Sequence, residues 1–126
     1  MVYTINSPLR LKVNKKIYPL NLNYYRNANH YLNNSAKKKY EKIMFAEIYK
    51  LPKFDKIKLE FILHRNNKRR IDRHNVCCIV QKFFCDALVN KGKLIDDNDK
   101  YIISEKYISG DIEPQERVEI LIYKIE

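Results

Sequence analysis

The stretch RRIDRHNVCCIVQKFFCDALVNKGKLIDDND, from Arg69 to Asp99, concentrates groups that can hold a cation or a phosphate. Its sharpest feature is the Asp96-Asp97 pair. Adjacent carboxylates repel each other and cost stability unless a cation or an arginine neutralises them. A hard divalent ion is the economical partner: Mg²⁺ takes oxygen ligands and keeps several waters, so two or three carboxylates from different elements suffice. Such an ion generates a hydroxide nucleophile and offsets charge building on a phosphodiester. Asp72, His74 and Asn75 supply ligand-type groups upstream, and Asp86 stands between the two sets. His74 is either a metal ligand or a solvated imidazole at a helix start, whereas His30 and His64 lack comparable neighbours and are assigned no role. Lys68, Arg69, Arg70 and Arg73 crowd around the first set, as phosphate contacts or as a solvated loop.

A helix from about His74 to Lys91 must carry most of these residues, with Gly92 suited to a left-handed C-cap. At 100° per residue from Asp72, Val76, Val80, Phe83 and Ala87 fall between about +20° and +80°, an apolar stripe for the core. Asn75, Lys82 and Asp86 fall between about −80° and −40°, so an amide, an ammonium and a carboxylate border the buried face. The short KGKLI link returns Asp96 and Asp97 beside the first set only if the next strand runs along the helix.

Around this helix, Ile57, Leu59, Phe61 and Leu63 alternate as the clearest strand, and two more strands are expected near 101–108 and 117–123. The N-terminal stretch reads as extended structure through Leu9, Leu11 and Val13, interrupted at Pro19. NYYRNANHYLNNS reads as a loop, after which Ser35 caps a first helix carrying Tyr40, Ile43, Met44 and Ile48. The order β-α-β-α-β-β predicts one α+β domain over 1–126, two main helices packed on a small mixed sheet.

The 126 residues allow one modest core. No apolar run is long enough to span a membrane and the N-terminus lacks a secretory layout, so the expected compartment is the cytoplasm, with no membrane partner. Cys77, Cys78 and Cys85 have no second pair to complete a structural zinc site and read as reduced, packed thiols. The net charge of +10 points to a polyanionic partner. Residues 1–71 hold 17 Lys and Arg against 4 Asp and Glu, whereas residues 72–126 hold 8 against 11. A basic half could grip a nucleic-acid backbone while an acidic half holds a cation; an AT-rich genome is the plain alternative for the lysines.

The same stretch resembles the RusA family of Holliday-junction resolvases. RRIDRHN supplies basic residues leading into Asp72 and Asn75, QKFFCDAL supplies Lys82 and Asp86, and GKLIDD supplies Gly92, Asp96 and Asp97. The likeness covers about a quarter of the chain. His74 departs from it, standing where the family more often has a second aspartate, and an imidazole there would favour Mn²⁺ more than an all-carboxylate set does. The helix is also about four residues longer, which preserves its face because four residues are close to one turn. The resemblance implies an Mg²⁺- or Mn²⁺-dependent homodimer that nicks four-way DNA junctions by paired phosphodiester hydrolysis, from a bacterial or phage source. It implies Asp72, His74 and Asp97 as metal ligands with Asp96 and Asp86 supporting, Lys82 near the scissile phosphate, and Asn75 orienting a ligand or capping the helix. The competing reading is a non-catalytic basic nucleic-acid-binding protein with a structural cation site; a ribonuclease is a third.

Overall fold

The computed structural model describes residues 1–125. The alternation of Ile57, Leu59, Phe61 and Leu63 produces β4 (Lys56–His64), in which all four side chains are buried on one face. It pairs with β6 (Arg117–Ile125), whose Val118, Ile120 and Ile122 are buried on the same side. β1 (Val2–Ser7) lies antiparallel to β6, and β5 (Ile102–Ser109) lies parallel to β4, giving the mixed order β1-β6-β4-β5. The expected α+β class holds, with two long helices on that sheet.

Two expectations at the N-terminal side are corrected. The extended stretch contributes β1 to the main sheet, and then β2 (Arg10–Val13) and β3 (Lys16–Pro19) form a separate hairpin, so there are two sheets. Asn14 and Lys15 make its tight turn at positive φ, 51° and 66°. The presumed aromatic loop is helical: α1 spans Leu22–Asn27 and α2 spans His30–Tyr49, five residues ahead of Ser35. The physical reason is two asparagine caps. Asn21 accepts the Tyr24 N–H and Asn29 accepts the Leu32 N–H, each at 2.8 Å, satisfying amides that a helix start otherwise leaves unpaired. α2 buries Ala36, Tyr40, Met44 and Ile48 at four-residue intervals, while Ile43 faces outward.

α3 (Arg73–Asn90) is enclosed on most of its circumference. The expected stripe of Val76, Val80, Phe83 and Ala87 is buried, but so are Cys77, Ile79, Phe84, Cys85 and Leu88. Phe83 explains the breadth, since its ring meets Tyr18 of β3, Tyr25 of α1 and Tyr40 of α2 at centroid distances of 6.2, 6.2 and 5.8 Å. The less buried strip of α3 carries Asn75, Cys78, Lys82, Asp86 and Val89, of which Lys82 is exposed and the others half-buried. Gly92, at φ +73°, follows the helix end as the sequence suggests. Because α3 crosses over from β4 to a parallel β5, it runs antiparallel to both strands.

Candidate functional site

The direction of α3 decides which predicted residues meet. Asp72 caps its N-terminus, with Oδ1 accepting the Asn75 N–H at 3.3 Å. Fourteen residues later stands Asp86, about 21 Å further along the axis. The loop after Gly92 brings Asp96 and Asp97 back to this second end, because so short a link cannot retrace an 18-residue helix. The strand does run along the helix, but it begins at the helix C-terminus. The predicted residues therefore form two groups and not one.

The first group lies at the start of α3. Asp72, Arg73, His74, Ile71 and Tyr107 line a cleft of about 510 Å³. The His74 ring is exposed and tilted against the Tyr107 ring at 5.7 Å. Tyr107 is fixed from both sides, edge-on to Phe61 at 5.8 Å and donating its hydroxyl proton to the Gln81 side-chain oxygen. Arg73 donates to Ser109 Oγ at 2.8 Å and so ties the helix start to the end of β5. Lys68, Arg69 and Arg70 are exposed in the loop ahead of α3, where Arg69 and Arg70 line an adjoining cleft of about 540 Å³ with Arg65 and Ser109. Asn75 is half-buried on the strip below, and its carbonyl accepts the Cys78 thiol at 3.8 Å.

The second group gathers at the other end. Burial first, then the Asp96 side chain and the charge of Asp86, hold the Asp97 carboxyl above the usual carboxylate range. The Asp97 amide donates to Asp96 Oδ1 at 2.8 Å, and Asn98 donates to its other oxygen at 3.2 Å, so the Asp96 carboxylate is oriented by its own loop. Asp86 meets Lys37 of α2 at 3.5 Å. Lys37 and Lys82 both sit over the Tyr25 ring, at 5.9 and 5.8 Å from its centroid. The less buried strip of α3 thus has a carboxylate bank at Asp86, Asp96 and Asp97 beside a cationic bank at Lys37 and Lys82.

No protein-family model matches this chain, and no curated protein does.

Among the described residues no three His, Cys, Asp or Glu side chains stand as a ready-made ligand set. Asp86, Asp96 and Asp97 are nonetheless hard oxygen donors in one neighbourhood, and a cation that keeps its waters needs few of them. Burial raises the Cys77 thiol to about 12 and Cys85 higher still, with Asp97, Asp86 and Glu105 adding to the effect on Cys85; these free thiols are poor nucleophiles. Another cleft, of about 600 Å³ between Lys53, Phe54, Lys93 and Ile95, contains none of the site residues expected from the sequence.

Three residues of this region escaped the sequence reading. Tyr25 and Lys37 reach the strip only because α1 and α2 pack against α3, and nothing near Lys37 in the run KKK distinguishes it from its neighbours. Glu105 pairs in register with Leu59, and so stands on the α3 side of the edge strand. His64, assigned no role from the sequence, stands apart from this region: it closes β4 on the opposite face from the core, buried beneath the loop after β5. Its Nδ1 lies 2.9 Å from the Asp111 carbonyl and its Nε2 lies 2.9 Å from Glu119 Oε1.

Proposed function

We propose that this chain is a metal-dependent endonuclease acting on branched DNA. The observation that carries the reading is geometric: three carboxylates, Asp86, Asp96 and Asp97, gather at one end of α3 beside two lysines, Lys37 and Lys82, placed for a phosphate. The Asp97 carboxyl is raised by burial first and then by Asp96 and Asp86, as in sites that await a cation or a proton. The preference for branched DNA rests on the likeness of residues 69–97 to the RusA-type nucleases.

Asp97 and Asp96, with Asp86 supporting, would hold a divalent ion through carboxylate oxygens and water. When bound, such an ion would supply a hydroxide nucleophile and neutralise charge on the phosphodiester. The chain's own contribution is positioning. Lys82, on the same helix as Asp86 and held near the Tyr25 ring, offers its ammonium to a phosphate oxygen as charge develops there. Lys37 bridges the banks and holds Asp86 until a phosphate competes for it. Lys68, Arg69, Arg70 and Arg73, at the other end of the strip, grip the backbone away from the reacting bond. Asp72 caps α3 and so keeps the Arg73–Ser109 tie and the first cleft in place. Asp72 and His74, which the resemblance implies as ligands of the same ion as Asp97, would take no part in this centre, since they stand at the other end of α3.

The test is cleavage of a synthetic four-way junction with Mg²⁺ or Mn²⁺ by the wild type, Asp97→Asn and Lys82→Gln. Asp97→Asn is expected to bind the junction and not cut it, and Lys82→Gln to cut it at least about a hundredfold more slowly. Cleavage by Asp97→Asn at the wild-type rate removes the proposed metal centre. Salt-sensitive binding by the wild type, with no cleavage of any DNA, leaves the non-catalytic reading instead.

A further inference from the structure

The outer face of α2 carries a feature that the proposed centre does not use. Lys38, Lys42, Phe45 and Tyr49 fall within an arc of about 60° on the helix. Phe45 and Tyr49 are 48% and 70% exposed, although nothing in their chemistry favours water over a partner. Their rings stand 5.8 Å apart with only 32° between their planes, so they present a stepped pair of similarly oriented faces. Two lysines from the segment after α3 complete the row: Lys91 Nζ lies 5.6 Å from the Phe45 centroid and Lys93 Nζ 5.6 Å from the Tyr49 centroid.

The charges around this row are lopsided. Glu41 is the acid beside it, engaged by Asn90 at 3.0 Å and by Lys91 at 3.9 Å. Glu47 points to the other side of α2, about 160° from Phe45. Lys93 is anchored, donating to the carbonyls of Tyr49 at 3.2 Å and Leu51 at 2.6 Å, whereas Lys38 and Lys42 extend from exposed helix positions. At its upper end the row adjoins Lys37, whose partner Asp86 belongs to the carboxylate bank.

We infer that the Lys38-Lys42-Phe45-Tyr49 row of α2, flanked by Lys91 and Lys93, binds single-stranded nucleic acid, with unpaired bases stacked on Phe45 and Tyr49 and lysines on the phosphates. The inference rests on the nucleic-acid reading of the chain, but not on cleavage. Exposed rings interleaved with ammonium groups are what a sequence-tolerant strand track requires, since every base has a stackable face and every nucleotide a phosphate. A duplex does not suit this row, because its base faces are hidden within the stack and the rings would meet only backbone. An unpaired arm next to Lys37 would lead along α2 into the strip that holds Asp86.

The experiment is an anisotropy titration of a labelled oligothymidylate of about a dozen nucleotides, and of a duplex of equal length, in chelator so that no cutting occurs. The proteins are wild type, Phe45→Ala/Tyr49→Ala, Phe45→Tyr/Tyr49→Phe, and Lys38→Gln/Lys42→Gln. The double alanine variant is expected to weaken single-strand binding at least about fivefold with an unchanged salt slope, and to leave duplex binding within about twofold. The ring-preserving variant keeps wild-type affinity, and the lysine variant lowers the single-strand salt slope by up to about 1.4. These exposed positions contribute little to the core, and matched circular dichroism melts establish that each variant is folded. Equal loss of single-strand and duplex binding, no loss in the alanine variant, competition by polyglutamate as strong as by unlabelled strand, or no wild-type binding to the oligonucleotide each overturns the inference. A protein that binds strand through the rings and never cuts DNA supports this inference while removing the nuclease reading.

Discussion

Raising the pH should weaken this fold through a single imidazole. His64 places each ring nitrogen 2.9 Å from an oxygen that only accepts, the Asp111 carbonyl on Nδ1 and the Glu119 carboxylate on Nε2. A neutral imidazole has one N–H and satisfies one of them; both are satisfied only when the ring is protonated. Burial opposes that charge most strongly, and Arg117 opposes it further. Glu119, the Asp111 carbonyl and Glu113, 3.4 Å away, outweigh both, so the pKa of His64 is raised above its usual value. Its contribution to stability is therefore complete below about pH 6.5, the unfolded value, and is lost as pH rises through the higher folded value. One charge-assisted bond contributes about 1.5–3 kcal/mol and burial of the ion returns part of it, leaving on the order of 1 kcal/mol. For a chain of this size that is a fall in Tm of about 3–5 °C. Thermal melts of wild type and His64→Gln between pH 5.5 and 9 measure it. The variant should melt lower than wild type in acid, with the difference shrinking toward pH 9. Parallel curves across the range would refute the protonated arrangement.

Three further outcomes follow from the packing. Asp97→Asn should raise Tm at neutral pH in chelator, because its carboxyl is raised by burial, Asp96 and Asp86; that destabilisation sets in as pH rises above the unfolded value near 4, so the gain should vanish in acid. A Tm that falls at pH 7 would show that the Asp97 charge is stabilising. Gly110→Ala should cost about 1–3 kcal/mol, since a Cβ there would stand 2.6 Å from both the His64 ring and Ile62 Cγ2; urea denaturation at pH 6 reads it, and an unchanged midpoint contradicts the close approach. Phe83→Ala should cost about 3–5 kcal/mol and release Tyr18, Tyr25 and Tyr40 together, seen in denaturation and in near-ultraviolet dichroism of the tyrosines; a loss below about 1 kcal/mol would deny it the hub position.

Periodicity carried the sequence reading where one element sits against one surface. β4 is expected from Ile57, Leu59, Phe61 and Leu63 and lies within a residue of that expectation, and α3 with its Gly92 terminus does likewise. It failed at NYYRNANHYLNNS, where the caps at Asn21 and Asn29 are single side chains that leave no repeating pattern. The width of α3 burial also lay beyond it, because a helix wheel shows one apolar stripe and cannot show that Tyr18, Tyr25 and Tyr40 close over a second side.

For the candidate site, residue types and local order were set by the sequence: a helix with Lys82 and Asp86 on one edge, a carboxylate pair just beyond its end, and basic residues before its start. Which of these groups share a neighbourhood was decided by the crossover. A parallel β4-α3-β5 connection sends the chain back along the helix from its C-terminus, so Asp97 joins Asp86 and leaves Asp72 and His74 at the other end. Tertiary packing also supplied Lys37 and Tyr25 and enclosed His64 between Asp111, Glu113 and Glu119. The physical reason is common to these cases. Spacing along a chain fixes which face of an element a residue occupies, whereas the partner across that face comes from an element whose distance in sequence carries no record of the contact.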